Sequence, residues 1–136
     1  MPHTILKIAV YNALMLLTSS AIATGNNDDP ALALTGNVKS GSKIYSTICK
    51  GCHGVSIAPT LRGVIGRTVA SEPNYPNYSD AIKAKQPMTW SKENISRFLI
   101  APQKFIPGTQ MVQIIDDPQK RADIVAFLEI LPPPRK

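Results

Sequence analysis

Two cysteines and two histidines are all that this 136-residue chain offers toward soft-metal or thiol chemistry. A structural zinc site takes four Cys or His ligands in two pairs. After Cys49, Cys52 and His53, only His3 at the extreme N-terminus is left, which argues against zinc. Long apolar runs are also missing. The best candidate, Ile8 to Ala23, is interrupted by Tyr11, Asn12 and Thr18 to Ser20, and it falls short of the ~20 apolar residues of a membrane span. Lys7 precedes it and Ala21-Ile22-Ala23 closes it, so residues 1–23 read as a secretory signal peptide, with an uncleaved anchor as the alternative. No internal repeat, coiled-coil heptad or alternating strand pattern appears, which leaves a small all-α domain with long loops. Basic residues outnumber acidic ones, 15 to 9, yet they are scattered and form no stripe. That distribution argues against nucleic-acid binding and is compatible with steering toward an acidic partner.

What the chain does have is Cys49-Lys50-Gly51-Cys52-His53. This C-x-x-C-H pentapeptide is the attachment pattern of a c-type haem. Each thiol can add to one porphyrin vinyl group, and the histidine that follows can supply the proximal imidazole. A redox dithiol would need a β-α-β context, whereas the apolar runs here read as helices. Haem c, one per chain and held by Cys49 and Cys52, is therefore the expected cofactor. An exported chain suits this chemistry, with the periplasm as the expected compartment. There the two thiols could form a disulfide before haem is added.

Removing residues 1–23 leaves 113 residues, enough for one small domain, and a formal charge of +5. A buried porphyrin can supply apolar contact that so short a chain lacks. Residues 24–36 read as a flexible lead-in of turn formers, and 37–136 as the folded domain. The first helix is expected to start near Asn37 or Ser40 and to run into the haem motif. Gly41, Ile44, Tyr45 and Ile48 share one of its faces. Gly54 to Pro76 reads as a loop. A short helix is expected from Asp80 to Lys85 with Ser79 as N-cap. Ser91 caps the next helix, with Glu93 in its first turn, Trp90 and Ile95 as a hydrophobic staple and Pro102 as its stop. The last helix starts from Asp117 as N-cap and Pro118 at its first position. Its stripe is Ile124, Phe127, Leu128 and Leu131.

The expected mature chain has a single histidine, so its own side chains cannot give bis-histidine ligation. Met88 and Met111 are the thioether candidates for the sixth position of the iron. Met88 reads as apolar filling. Met111 follows Lys104-Phe105-Ile106-Pro107-Gly108-Thr109-Gln110, whose Pro-Gly pair forces a turn, and is the favoured ligand. Met/His ligation raises the reduction potential. An open sixth site is the remaining alternative.

Taken in order, G-S-K-I-Y-S-T-I-C-K-G-C-H-G, A-P-T-L-R-G-V-I-G-R, Y-S-D-A-I-K, T-W, K-F-I-P-G-T-Q-M and R-A-D-I-V-A-F-L resemble a class I c-type cytochrome from about Gly41 to Leu128. The likeness is to mitochondrial cytochrome c and its bacterial periplasmic relatives. It implies a small cytochrome c fold, about four helices with long loops wrapped around one covalent haem. It also implies Cys49 and Cys52 as thioether residues, His53 as proximal ligand and Met111 as distal ligand. Pro59 matches the proline whose carbonyl accepts from the proximal imidazole. Arg67, Tyr78 and Trp90 match residues that solvate one haem propionate, and Thr109 a partner of the other. Gly41 and Tyr45 match the crossing of the first and last helices, against Ile124 and Phe127.

The chain departs from the family pattern at Phe98, where many relatives have tyrosine, and at Ile82, where asparagine often sits. Ile48, Gln103 and Gln110 replace lysines around the exposed haem edge, and Asp116-Asp117 lies near another expected lysine pair. The resemblance implies that Lys50, Lys104 and Lys83 or Lys85 keep part of that ring. The resemblance implies an electron carrier and not an enzyme, a monomer that meets transient redox partners. A quinol-oxidising complex or dehydrogenase would be the donor and a terminal oxidase or reductase the acceptor. The alternatives are a cytochrome subunit of a larger oxidoreductase, or a haem peroxidase or gas-binding protein with a displaceable sixth ligand.

Overall fold

The computed structural model describes residues 29–135; the expected signal segment, 1–23, lies outside them. Asn37 caps the first α-helix. Its side chain accepts from the Ser40 amide at 3.0 Å and starts helix α1, Val38–Ile44. The helix then widens into a π turn over Tyr45–Cys49, where the Lys50 amide donates to the Tyr45 carbonyl, and tightens again as α2, Lys50–His53. Single π turns inside helices mark functional sites, and this one ends on the first cysteine of the pentapeptide.

A long irregular segment follows to Ser79, which caps α3, Asp80–Lys83, two residues shorter than expected. Ser91 accepts from the Asn94 amide at 3.1 Å and opens α4, Lys92–Ile100. Trp90 packs against the core cluster that holds Ile95, in keeping with a hydrophobic staple. Pro102 stops α4 as anticipated, because proline disfavours helical geometry in the residue before it. It also begins an unanticipated single turn, α5, Pro102–Phe105. Asp117 and Pro118 open α6, Pro118–Ile130, as their residue types dictate. The described residues thus form an all-α chain with long loops; apart from one isolated bridge between Thr68 and Thr89, no strand pairing occurs among them.

α1 crosses α6 at close range. A Cβ on Gly41 would collide with the Asp123 carbonyl and lie 2.8 Å from the Phe127 Cβ. Tyr45 packs on Phe127 with ring centroids 5.2 Å apart. Gly41→Ala is expected to cost about 1–3 kcal/mol by overpacking, read as a lower denaturant midpoint at unchanged slope. Gly36 meets Ala122 in the same way and was not singled out from sequence.

Two apolar clusters flank α4. Ile95 and Leu99 join Val64, Ile115, Ile124, Val125 and Leu128 on one side. Phe98 joins Val69, Ile82 and Ile106 on the other. Trp90 and Met111 pack against both.

The flexible lead-in expected over 24–36 needs correction where it is described. Asp29 is 8% exposed and caps a 3-10 turn, Pro30–Ala33. Its carboxylate accepts from Arg121 Nη2 at 2.8 Å and from the Ser96 hydroxyl. An acid six residues past the expected cleavage point reads as solvated in sequence. Here a buried arginine on α6 and a serine on α4 hold it.

Candidate functional site

His53 ends α2, and its ring is half-buried. Nδ1 donates to the Pro59 carbonyl at 2.7 Å, the contact expected of Pro59. Holding Nδ1 protonated fixes the ring orientation and leaves Nε2 as the nitrogen with a free lone pair. Burial pulls the imidazole below its ordinary value, and the carbonyl contact opposes that in part. An imidazole kept neutral is the form that binds a metal. Cys49 is partly buried and Cys52 is exposed, and no disulfide joins them. Before haem is attached, burial pushes the Cys49 thiol up to about 11. Among the described residues no group of three or more Cys, His, Asp or Glu could hold a metal ion. Two cysteines three positions apart, followed directly by an oriented imidazole, suit covalent attachment of a haem.

Met111 is placed by the turn that its preceding Pro-Gly pair demands. The Thr109 amide donates to the Ile106 carbonyl at 3.0 Å, and Gly108 takes φ +89, as the third residue of such a turn requires. Thr109 is buried, and its hydroxyl accepts from the Met111 amide at 3.4 Å. The Gln103 side chain, read from sequence only as replacing a docking lysine, donates to the Thr109 carbonyl and, at 3.3 Å, to that of Met111. It ties α5 to the methionine segment. Met88 is partly buried against Val69, Ile82, Phe98 and Ile106, in keeping with apolar filling.

Arg67, Tyr78 and Trp90 form one neighbourhood. The Trp90 amide donates to the Arg67 carbonyl at 2.9 Å, and its ring lies 5.1 Å from that of Phe98. Arg67 and Tyr78 are joined through Glu72, which sequence reading passed over. Arg67 Nη1 meets the Glu72 carboxylate at 2.6 Å, and the Glu72 amide donates to the Tyr78 oxygen at 3.2 Å. Arg67 also donates to the carbonyls of Thr60 at 2.6 Å and Arg62 at 3.2 Å. His53, Pro59 and Glu72 line a common cleft of about 500 Å³.

The family model for cytochrome c matches residues 38–132. A cytochrome c2 of Rhodomicrobium vannielii is 34% identical over 130 residues, covering 90% of this chain and 93% of its own length. The chain belongs to the cytochrome c family. The cytochrome c of Sesamum indicum is 40% identical over 101 residues, covering 69% of this chain and 89% of its own. Among solved structures, cytochrome cH from Methylobacterium extorquens is 37% identical with a TM-score of 0.63, over 69% of this chain and 98% of its own. Cytochrome c2 from Rhodospirillum centenum is 29% identical with a TM-score of 0.64, over 72% and 100%.

As a cytochrome c, the chain carries haem c attached through Cys49 and Cys52, and it works as an electron-transfer protein, not an enzyme. Its own donor set fits that group: two uncommitted thiols, an oriented imidazole and a thioether between two apolar clusters. Phe98 and Ile82, the departures from the family pattern, are 8% and 9% exposed beside Met111 and Met88. They make that side of this cytochrome c apolar.

Proposed function

We propose that this cytochrome c is a periplasmic one-electron carrier whose iron is held by His53 and Met111. Haem c supplies the one-electron Fe(III)/Fe(II) couple. The observation that carries the reading is an oriented imidazole together with a methionine whose backbone is held in place. His53 is oriented by Pro59, and Met111 by the Ile106–Thr109 turn and Gln103. Side chains positioned in advance need little rearrangement between oxidation states, which favours fast exchange. Arg67, Tyr78, Trp90 and Thr109 are assigned to the haem propionates, since buried carboxylates need donors. An exported location is supported by the signal-like residues 1–23, and no described helix is long and apolar enough to cross a membrane. The test is the optical spectrum of the ferric holoprotein. A weak red charge-transfer band from thioether sulfur on iron is expected, and a high-spin spectrum without it would overturn the ligation.

Partners in this reading are redox proteins met transiently: a quinol-oxidising complex or dehydrogenase as donor, a terminal oxidase or reductase as acceptor. Several positions offered for docking are apolar or uncharged. Val112 is 77% exposed and Ile114 54%, beside exposed Gln110 and Gln103, and Ile48 stands exposed next to Cys49. Docking is therefore expected to depend weakly on charge. Between ~0.05 and ~0.2 M salt, partner-reduction rates should change by less than about threefold, because the Debye length shortens but few long-range pairs are lost. A fall of tenfold or more would refute this.

A further inference from the structure

Glu72 is a buried carboxylate that the electron-carrier reading does not use. Its side chain is 3% exposed, and one oxygen sits 2.6 Å from Arg67 Nη1. The other lies 3.4 Å from the Asn74 amide and 3.5 Å from the Asn74 side-chain nitrogen. Its own amide is bonded to Tyr78, and it lines the cleft that His53 also lines. Arg67 and Tyr78 are two of the residues assigned to a haem propionate. The guanidinium that would neutralise that propionate is therefore already neutralised by a side chain of this protein.

We propose that Glu72 is a positioning residue that sets the reduction potential, by cancelling the charge of Arg67 beside the haem and so favouring the ferric state. This rests on the haem-carrier reading above. The physical basis is the sign of the charges. Oxidation adds one positive charge at the iron, and a nearby net cation opposes it while a neutral ion pair does not. Inside a protein the effective dielectric is nearer 20 than 80, so one buried charge shifts a one-electron equilibrium several-fold. A clip serving only to hold the 67–78 loop would change stability and leave the potential alone.

The test is potentiometry on the holoprotein of Glu72→Gln, with Asp80→Asn as control because that carboxylate is fully exposed on α3. In Glu72→Gln the equilibrium with a fixed one-electron mediator is expected to move toward the reduced cytochrome by about three- to tenfold, tenfold being ~59 mV. Asp80→Asn is expected to move it by less than about 1.5-fold. If Glu72→Gln does not fold, Arg67→Lys/Glu72→Gln measured against Arg67→Lys reads the same missing carboxylate, since the more flexible lysine, with its compact ammonium, can turn toward water. The red charge-transfer band is recorded for every sample. Band present with Glu72→Gln matching Asp80→Asn overturns the role of Glu72. Band absent in the parent protein overturns the carrier reading instead.

Discussion

Met111→Ala is expected to convert the holoprotein from a low-spin to a high-spin ferric spectrum, abolish the red sulfur band and admit added imidazole or cyanide readily. The reduction potential should fall on the order of 0.2 V, a fraction of the ~0.8 V that axial ligands can span. The sign follows from ligand softness: a thioether favours the lower oxidation state, and the water or hydroxide that replaces it does not. Stability should fall as well, because Met111 packs against the clusters on both sides of α4. Truncating a fully buried methionine costs about 2–5 kcal/mol, and Met111, which is partly buried, should fall toward the low end of that range. Met88→Ala separates the two effects. It removes a comparable side chain from one cluster only, so it should lower stability while the sulfur band persists. A band that survives Met111→Ala and vanishes in Met88→Ala would reverse the ligand assignment.

Asp29→Asn should be the most damaging single change outside the haem site, costing about 3–5 kcal/mol in chemical denaturation. Arg121 and Asp29 are 3% and 2% exposed at their side chains and pair at 2.8 Å. Arg121 also donates to the carbonyls of Ile115 at 3.0 Å and Asp116 at 2.7 Å, and its Nε reaches Ser96 at 3.4 Å. Removing the carboxylate leaves a buried guanidinium without its counter-charge, whereas Asp29→Leu/Arg121→Met replaces the pair by apolar volume and should recover much of the loss. Burial pushes the Asp29 carboxyl up, but the bonds from Arg121, Ser96 and the Ala31 amide outweigh it and leave it below its ordinary value. A folded-state value below the unfolded one, ~3.9, means a contribution present above about pH 4 and lost as pH falls through the folded value. Parent and Asp29→Asn stabilities should therefore converge in acid. A gap that stays constant down to pH ~2 would show that Asp29 acts through something other than its charge.

Helix starts were legible because each is decided by neighbours in sequence. Asn37, Ser79, Ser91 and Asp117 each accept from an amide three residues on, a bond that needs no tertiary contact. The Ile106–Thr109 turn was legible for the same reason, and so was the haem motif, whose chemistry is contained in five consecutive residues. The apolar stripe of α6 named Ile124 and Leu128, both buried, but passed over Arg121 and Asp123, which are buried too. A signal for Arg121 existed, since it lies three residues before Ile124 on the core-facing side. Asp123 carries a longer-range task, accepting from the Asn37 amide at 2.7 Å and so fixing the start of α1 on α6.

Read alone, the residues determined the cofactor, the all-α class and the order of helices, because attachment chemistry, capping and periodicity act over a few positions. Only the tertiary structure decided which charges are buried and with whom. Asp29 and Arg121 are 92 positions apart, and nothing local distinguishes this aspartate from a solvated one. Glu72 reads as an ordinary loop acid until Arg67 and Tyr78 close around it. A buried charge is tolerable only where the fold brings it a partner, and that depends on the path of the whole chain.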